Sequence, residues 1–216
     1  SPPVPIHYAT ESQAETFGNP YSESMFYERA LAIAGIIDLM NEKIGRTVSW
    51  LALIMILVQF IVVVMRYIFG LGSIFMQESI VYMHALIFLV AAGYTLLHDG
   101  HVRVDIFYGS ATIKRKALIN FVGVLVFLWP VCVLIIAVSA KFVTAAWAVR
   151  EGSPEGSGIQ AVYLLKTVIW VFAGLLILQG FSLLVNSWAV MRGSKADYDH
   201  AAAVGGGGGE TEGGGL

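Results

Sequence analysis

Histidines are the residues in this sequence best suited to chemistry, and their positions argue against a haem site. They are His7, His84, His98, His101 and His200. The first and last lie in the terminal segments, and the other three lie in or just after the second of four apolar runs. A haem bound between membrane helices needs histidine ligands on facing helices. Because the other three apolar runs contain no histidine, we expect no haem.

Other catalytic patterns are also missing. The sequence has no Ser-His-Asp arrangement, no Gly-rich phosphate loop, no Cys-x-x-Cys pair and no paired carboxylates within an apolar run. Its single cysteine, Cys132, can form neither an intrachain disulfide nor a Cys-rich metal site. We therefore expect no enzymatic activity, no cofactor and no metal, and we interpret Cys132 as a small buried hydrophobic residue.

The composition indicates a membrane protein. Of 216 residues, 57% are hydrophobic and only 13% are charged, and the mean hydropathy is +0.73. Soluble domains carry about 25% charged residues. The net charge of −2 provides no positive field for binding nucleic acid. The sequence thus excludes an ordinary soluble domain and makes a nucleic-acid partner unexpected.

Four apolar runs are long enough to cross a bilayer, whose core of about 30 Å requires about 20 helical residues. The runs free of Asp, Glu, Lys and Arg are Thr47–Met65, Ser79–Leu97, Ala117–Ala140 and Thr167–Met191. We predict an all-α integral membrane protein whose transmembrane domain covers residues 47–191. Its spans are predicted at about 47–69, 79–97, 117–149 and 159–191, and Pro130 predicts a kink in the third.

The flanking segments carry their own patterns. Residues 23–46 place apolar side chains at helical steps of three and four, with charges between them. The apolar residues are Phe26, Ile33, Ile37, Met40 and Ile44. This pattern predicts an amphipathic helix in the bilayer interface, with an extension of the first span as the alternative. Residues 1–22 are predicted to be an irregular arm, and the Gly-rich residues 192–216 a disordered tail.

The distribution of Lys and Arg predicts the orientation of the chain. The N-terminal flank, the second link and the C-terminal flank together carry nine, whereas the other two links carry four. Because short loops rich in Lys and Arg stay in the cytoplasm, both termini are predicted to be cytoplasmic.

Polar residues within the spans are few and isolated. They are Gln59, His84, Asn120, Gln179 and Ser182. A complete transporter commonly has repeated halves with broken helices that meet at ionisable groups near the midplane, and this sequence has neither. Hydrogen bonding between helices is the default role of such residues.

Residues 96–108 have an unusual order at the end of the second span. His101, Arg103 and Asp105 alternate with three apolar residues, which predicts an extended segment with one polar and one apolar edge. We predict that this segment docks onto a protein surface. The alternative is a solvated loop that only adds positive charge.

The chain resembles the DctQ-like small membrane subunit of tripartite ATP-independent periplasmic (TRAP) transporters over residues 48–190. The resemblance is carried by Arg66-Tyr67 after the first span, Glu78 before the second, and Gly100-His101 followed by Asp105. Two positions depart from the pattern: Phe75 stands where the family commonly has Trp, and Val90-Ala91 where it commonly has Gly.

The resemblance implies a role in a three-part importer of the bacterial inner membrane. A periplasmic binding protein captures an organic acid, and a large membrane subunit transports it with sodium. The small subunit supports the large one as a scaffold. The hypotheses from other classes are the membrane anchor of a redox complex and a stand-alone small carrier.

The candidate site residues are structural or belong to interfaces. Besides Gly100, His101, Arg103 and Asp105, they comprise two expected pairs. Arg66 and Glu78 are predicted to pair near the outer interface, where adjacent antiparallel spans meet. Gln59 and His84 are predicted to lie at similar depth, about 9–10 Å inside that border. His84 is expected to hydrogen-bond to Gln59 or to a polar group of the large subunit.

Overall fold

The described part of the chain is helical. The structure, a computed structural model, describes residues 20–98, 100 and 113–192. Within these ranges there are six α-helices and no strand. The helices are α1 Pro20–Ile68, α2 Ile74–Val90, α3 Ala92–Leu97, α4 Ile113–Gly123, α5 Trp129–Val149 and α6 Val162–Arg192, and a π-helical turn at Val124–Leu128 joins α4 to α5. The predicted all-α fold is confirmed.

Four helical stretches are long and apolar enough to cross a bilayer. They are Tyr27–Ile68, Ile74–Leu97, Lys114–Val149 and Val162–Arg192. Each contains one of the predicted apolar runs, so the prediction of four membrane spans is confirmed. Of the other predicted segments, most of the N-terminal arm, the tail from residue 193 onward and the alternating residues 101–106 lie outside the described residues.

The predicted amphipathic segment is part of α1 and not a separate helix. Helix α1 has 49 residues and continues without a break into the first span. This agrees with the alternative prediction, in which the segment is an extension of the first span. At 1.5 Å per residue α1 is about 74 Å long, more than twice the thickness of a bilayer core. The predicted apolar stripe is only partly covered by the rest of the chain, since Ile37 is buried and Ile33, on the same face, is 49% exposed. Placement in a membrane interface stays a prediction.

The third span is irregular just before its proline. Pro130 has no backbone N–H, so the hydrogen-bond ladder of a regular helix cannot continue through it. Immediately upstream, the Trp129 N–H donates to the Val124 carbonyl, five residues back. The wider turn lets the helix continue as α5 to Val149.

A tight turn connects α1 to α2. Gly70 adopts a positive φ of 65°, a conformation that glycine tolerates without steric cost. The Leu71 N–H donates to the Met65 carbonyl at 3.0 Å, and Ser73 caps α2 by accepting from the Met76 N–H. The turn makes α1 and α2 antiparallel neighbours.

Helix α6 lies at the centre of the described structure. It contacts α1, α2, α3, α4 and α5. In an apolar stretch of 18 residues within α6, 44% of the residues are buried, whereas the corresponding stretch of each other span is 11% buried. Cys132 of α5 is buried against Ala173 and Leu176 of α6, which agrees with its interpretation as a packing residue.

A glycine permits a close approach between the third and fourth spans. A Cβ at Gly180 would lie 2.8 Å from Leu128 Cδ2 and 2.9 Å from Trp129 Nε1. The same indole N–H donates to the Ile177 carbonyl at 3.3 Å. In lipid there is no hydrophobic driving force between helices, so their association depends on close packing. Small residues at the contact allow that packing.

We expect Gly180→Ala to destabilise the protein, because the added methyl must displace the Trp129 and Leu128 side chains. Overpacking of this kind costs about 1–3 kcal/mol. The free energy of unfolding is measured by titrating SDS into detergent micelles and following tryptophan fluorescence. Gly174→Ala is the control, since a Cβ there meets no atom within 4 Å. Equal unfolding curves for the two variants would contradict the prediction.

Candidate functional site

Four polar residues from α1 and α6 form a cluster, here called the central polar cluster. It consists of Asp38, Asn41, Gln179 and Ser182. The Asn41 amide donates to Gln179 Oε1 at 2.6 Å, and the Gln179 amide donates to Asp38 Oδ1 at 2.8 Å. Ser182 Oγ donates to the same carboxylate oxygen at 2.7 Å. Because Asn41, Gln179 and Ser182 are at most 3% exposed, these hydrogen bonds are shielded from water and hold α1 to α6.

The backbone of α3 packs against this cluster at Gly93. A Cβ at Gly93 would lie 2.6 Å from Asn41 Oδ1. That oxygen is buried and has no hydrogen-bond partner among the described residues. Glycine is therefore the residue that lets α3 approach, and the cluster joins α1, α3 and α6 at one place.

The cluster lies at the middle of α6. Gln179 is thirteen residues from both Lys166 and Arg192, or about 20 Å from each along the helix. Ionisable residues at such depth are costly and pair with other polar groups, and Asp38 does so by accepting two hydrogen bonds. Among the described residues no group of three His, Cys, Asp or Glu could hold a metal ion. The arrangement is suited to fixing helices relative to one another.

Sequence reasoning found only half of this cluster. Gln179 and Ser182 are predicted as isolated polar residues, and Asp38 belongs to a segment predicted to lie in the interface. The missed signal is a matched spacing: Asp38 and Asn41 are three residues apart on α1, as are Gln179 and Ser182 on α6. Residues three apart share a helix face, so two such pairs can interlock.

A second set of contacts joins α1 to the end of α3. The Glu42 carboxylate accepts from Arg46 Nε at 2.6 Å and lies 2.6 Å from His98 Nε2. The Tyr94 ring packs on His98 with centroids 4.3 Å apart. Here α1 contacts the end of the second span.

Gly100, one of the predicted site residues, follows directly on this end. Its N–H donates to the Thr95 carbonyl at 2.9 Å, which satisfies one of the carbonyls left free at a helix end. His101, Arg103 and Asp105 lie outside the described residues, and their docking stays a prediction.

Glu78 links α2 to the loop between α5 and α6, a contact here called the Glu78 clamp. One carboxylate oxygen accepts from Ser153 Oγ, and the other accepts from the Ile159 N–H at 2.6 Å. A Cβ at Gly158 would lie 2.6 Å from both carboxylate oxygens, so glycine allows the loop to close over Glu78. The clamp ties the second span to the hairpin formed by the third and fourth.

The same hairpin is held by an ion pair. Lys166 Nζ lies 2.5 Å from Glu151 Oε2 and 3.9 Å from the centre of the Phe142 ring. The Lys166 ammonium therefore points along α6 toward the loop, consistent with a lysine that reaches out of an apolar layer.

The two predicted side-chain pairs are not formed. The partners of Glu78 come from residues 153 and 159, while Arg66 is exposed and pairs with none of the described residues. Gln59 and His84 are both exposed, and no described residue hydrogen-bonds to either side chain. His84 instead stacks with Phe88, with ring centroids 6.2 Å apart. Contact of His84 with another subunit stays a prediction.

Comparison with known families decides the class of protein. The family model for the DctQ component of tripartite ATP-independent periplasmic transporters matches residues 55–190, more than half of the chain. The chain belongs to the DctQ family. No curated protein and no solved structure matches it significantly.

Membership confirms the resemblance seen in the sequence and gives the class of assembly. A DctQ protein is the small permease subunit of a transporter that also has a large membrane subunit and a binding protein. The family is a transporter component and not an enzyme family. The matched range contains α6 up to Val190 and the whole Glu78 clamp, whereas Asp38 and Asn41 of the central polar cluster precede it.

We expect Gln179→Leu to destabilise this DctQ chain. The change leaves the Asn41 donor and the Asp38 acceptor without their shared partner, and an unsatisfied buried polar group costs about 1–3 kcal/mol. The free energy of unfolding in detergent is the measurement. Gln59→Leu is the control, because Gln59 is exposed and has no partner among the described residues. A loss of equal size in both variants would show that the central polar cluster contributes nothing.

We expect Glu78→Ala to loosen the loop at residues 151–161. The loop loses two hydrogen bonds to a carboxylate, each worth about 1.5–3 kcal/mol. Hydrogen exchange followed by mass spectrometry should show exchange about tenfold faster or more in this loop. Glu155→Ala is the control, because Glu155 lies in the same loop with an exposed side chain. Unchanged protection in Glu78→Ala would refute the clamp.

Proposed function

We propose that this DctQ subunit is a scaffold for the large membrane subunit in sodium-driven, binding-protein-dependent uptake of an organic acid. The supporting observation is the use of its buried polar groups. Asn41, Gln179 and Ser182 are at most 3% exposed, and each forms a hydrogen bond between α1 and α6 of the same chain. A subunit whose polar groups hold its own helices in place is suited to giving a moving partner a fixed support.

The contacts at both ends of the spans favour the same role. The Glu78 clamp joins the second span to the hairpin of the third and fourth, and the Glu42–His98 contact joins the first span to the end of the second. A transport cycle requires sites that open to alternate sides. Contacts that connect all four spans oppose such opening, so we assign substrate and sodium binding to the large subunit.

We place this subunit in the bacterial inner membrane with both termini in the cytoplasm. The excess of Lys and Arg in the terminal flanks and the second link supports this orientation. In this placement the Glu78 clamp faces the periplasm, on the side where the binding protein delivers its substrate.

Reconstitution into proteoliposomes tests the proposal. The substrate is first identified as the organic acid that raises the melting temperature of the binding protein. Its uptake is then measured with all three components under an inward sodium gradient, and with each component left out. We expect uptake only with the complete set, and we expect replacement of sodium by potassium to reduce it to background.

Two outcomes would contradict the proposal. Uptake by this chain alone would make it a stand-alone carrier. A visible absorption band that co-purifies with the chain and responds to reductant would make it the anchor of a redox complex.

A further inference from the structure

One exposed face of α2 carries a polar side chain, His84, that has no hydrogen-bond partner among the described residues. His84 lies six residues after Glu78, about 9 Å further along α2. Its side chain is exposed and is hydrogen-bonded to none of the described residues. A neutral imidazole has one donor and one acceptor, and the hydrocarbon of a bilayer can satisfy neither.

Other exposed polar residues of the spans avoid an unsatisfied polar group in ways that are not open to His84. The exposed Thr144 hydroxyl donates to the Ala140 carbonyl of its own helix at 2.7 Å. Lys141 has a long flexible stem that can carry its ammonium toward the membrane surface. The imidazole stands on a single methylene, so it remains near the depth of its own backbone. Histidines in membrane spans generally face protein or a water-filled cavity.

The surroundings of His84 form one continuous exposed stripe on α2. Gln77, Val81, His84 and Phe88 follow one another at spacings of four, three and four residues, so they share a helix face. Val81 is 58% exposed and Phe88 is 74% exposed. The exposed Gln59 belongs to α1 and is not part of this stripe.

The outer surface of α5 provides a contrast. Val133, Leu134 and Val138 are between 58% and 72% exposed there and carry no polar group. That surface fits lipid without further partners. The stripe on α2 combines an equally exposed aromatic ring with an imidazole that requires a hydrogen bond.

From these observations, and resting on the proposed function, we infer that the α2 stripe is the docking surface for the large membrane subunit. The partner is a membrane-spanning helix of that subunit. It packs against Val81 and Phe88 and presents a hydroxyl, amide or open backbone group at the depth of His84. The His84–Phe88 stacking orients the imidazole toward that group.

Site-specific cross-linking tests the surface in cells that produce both membrane subunits. A benzophenone side chain is introduced at Phe88 or, as the matched control, at Val138, which is 72% exposed on α5. We expect a cross-link to the large subunit from position 88 that is at least about tenfold stronger than from position 138. A cross-link from position 88 to a second copy of this chain, or equal cross-linking from both positions, would overturn the inference.

Substitution of His84 tests the hydrogen bond separately. We expect His84→Leu to reduce the amount of large subunit that co-purifies by about threefold, the typical effect of one hydrogen bond between membrane helices. His84→Gln keeps a donor and an acceptor and should restore most of it. The stability of the chain alone is measured for both variants, so a folding defect is recognised. Equal recovery with Leu and Gln would remove His84 from the interface.

These results also separate the surface from the proposed function. If the wild-type complex assembles and transports but position 88 gives no cross-link to the large subunit, the docking surface is wrong and the scaffold role stands. If the wild-type chain binds no large subunit, the scaffold role fails, and the docking surface fails with it.

Discussion

The structure depends on the packing of α6 against every other helix. Between helices in lipid there is no hydrophobic driving force, so association rests on close packing and on hydrogen bonds. Helix α6 uses both. Gly180 admits Leu128 and Trp129 of the third span, and Gln179 and Ser182 bond to α1. The adjacent residues 179 and 180 thus serve two different neighbours, and a change in the path of α6 would disturb both contacts.

The spans could be predicted from the sequence because they follow from local composition. A run of about 20 residues without charge must be helical in a bilayer, whatever the rest of the chain does. The contacts between spans could not be predicted in the same way. Asn41 and Gln179 are 138 residues apart, and no local pattern links them. What the sequence does contain is the compatible spacing of two polar pairs, which becomes informative only once α1 and α6 are known to be neighbours.

The expected Arg66–Glu78 pair shows how chain adjacency misleads. The two residues flank one short turn, so opposite charges there favour the prediction of a pair. Glu78 instead bonds to residues 153 and 159, which are far away in sequence. The loop can approach because Gly158 has no Cβ to collide with the carboxylate. Arg66, which does not contact this carboxylate, is exposed.

The central polar cluster also constrains how the chain meets a bilayer. The Asn41–Gln179 and Asp38–Ser182 contacts make α1 and α6 antiparallel there. The apolar run of α1 begins six residues beyond Asn41, whereas that of α6 continues twelve residues beyond Gln179 in the opposite direction. If the two helices remain parallel to the membrane normal, these ends are offset by about 27 Å, nearly the thickness of a bilayer core.

A flat bilayer therefore covers part of the charged segment of α1 or exposes part of α6 to water, unless the helices tilt. The contacts of α1 lower the cost of the first solution at two of its charges, because Asp38 accepts two hydrogen bonds and Glu42 is paired with Arg46 and His98. Charges that are already paired can lie at a depth where isolated charges could not.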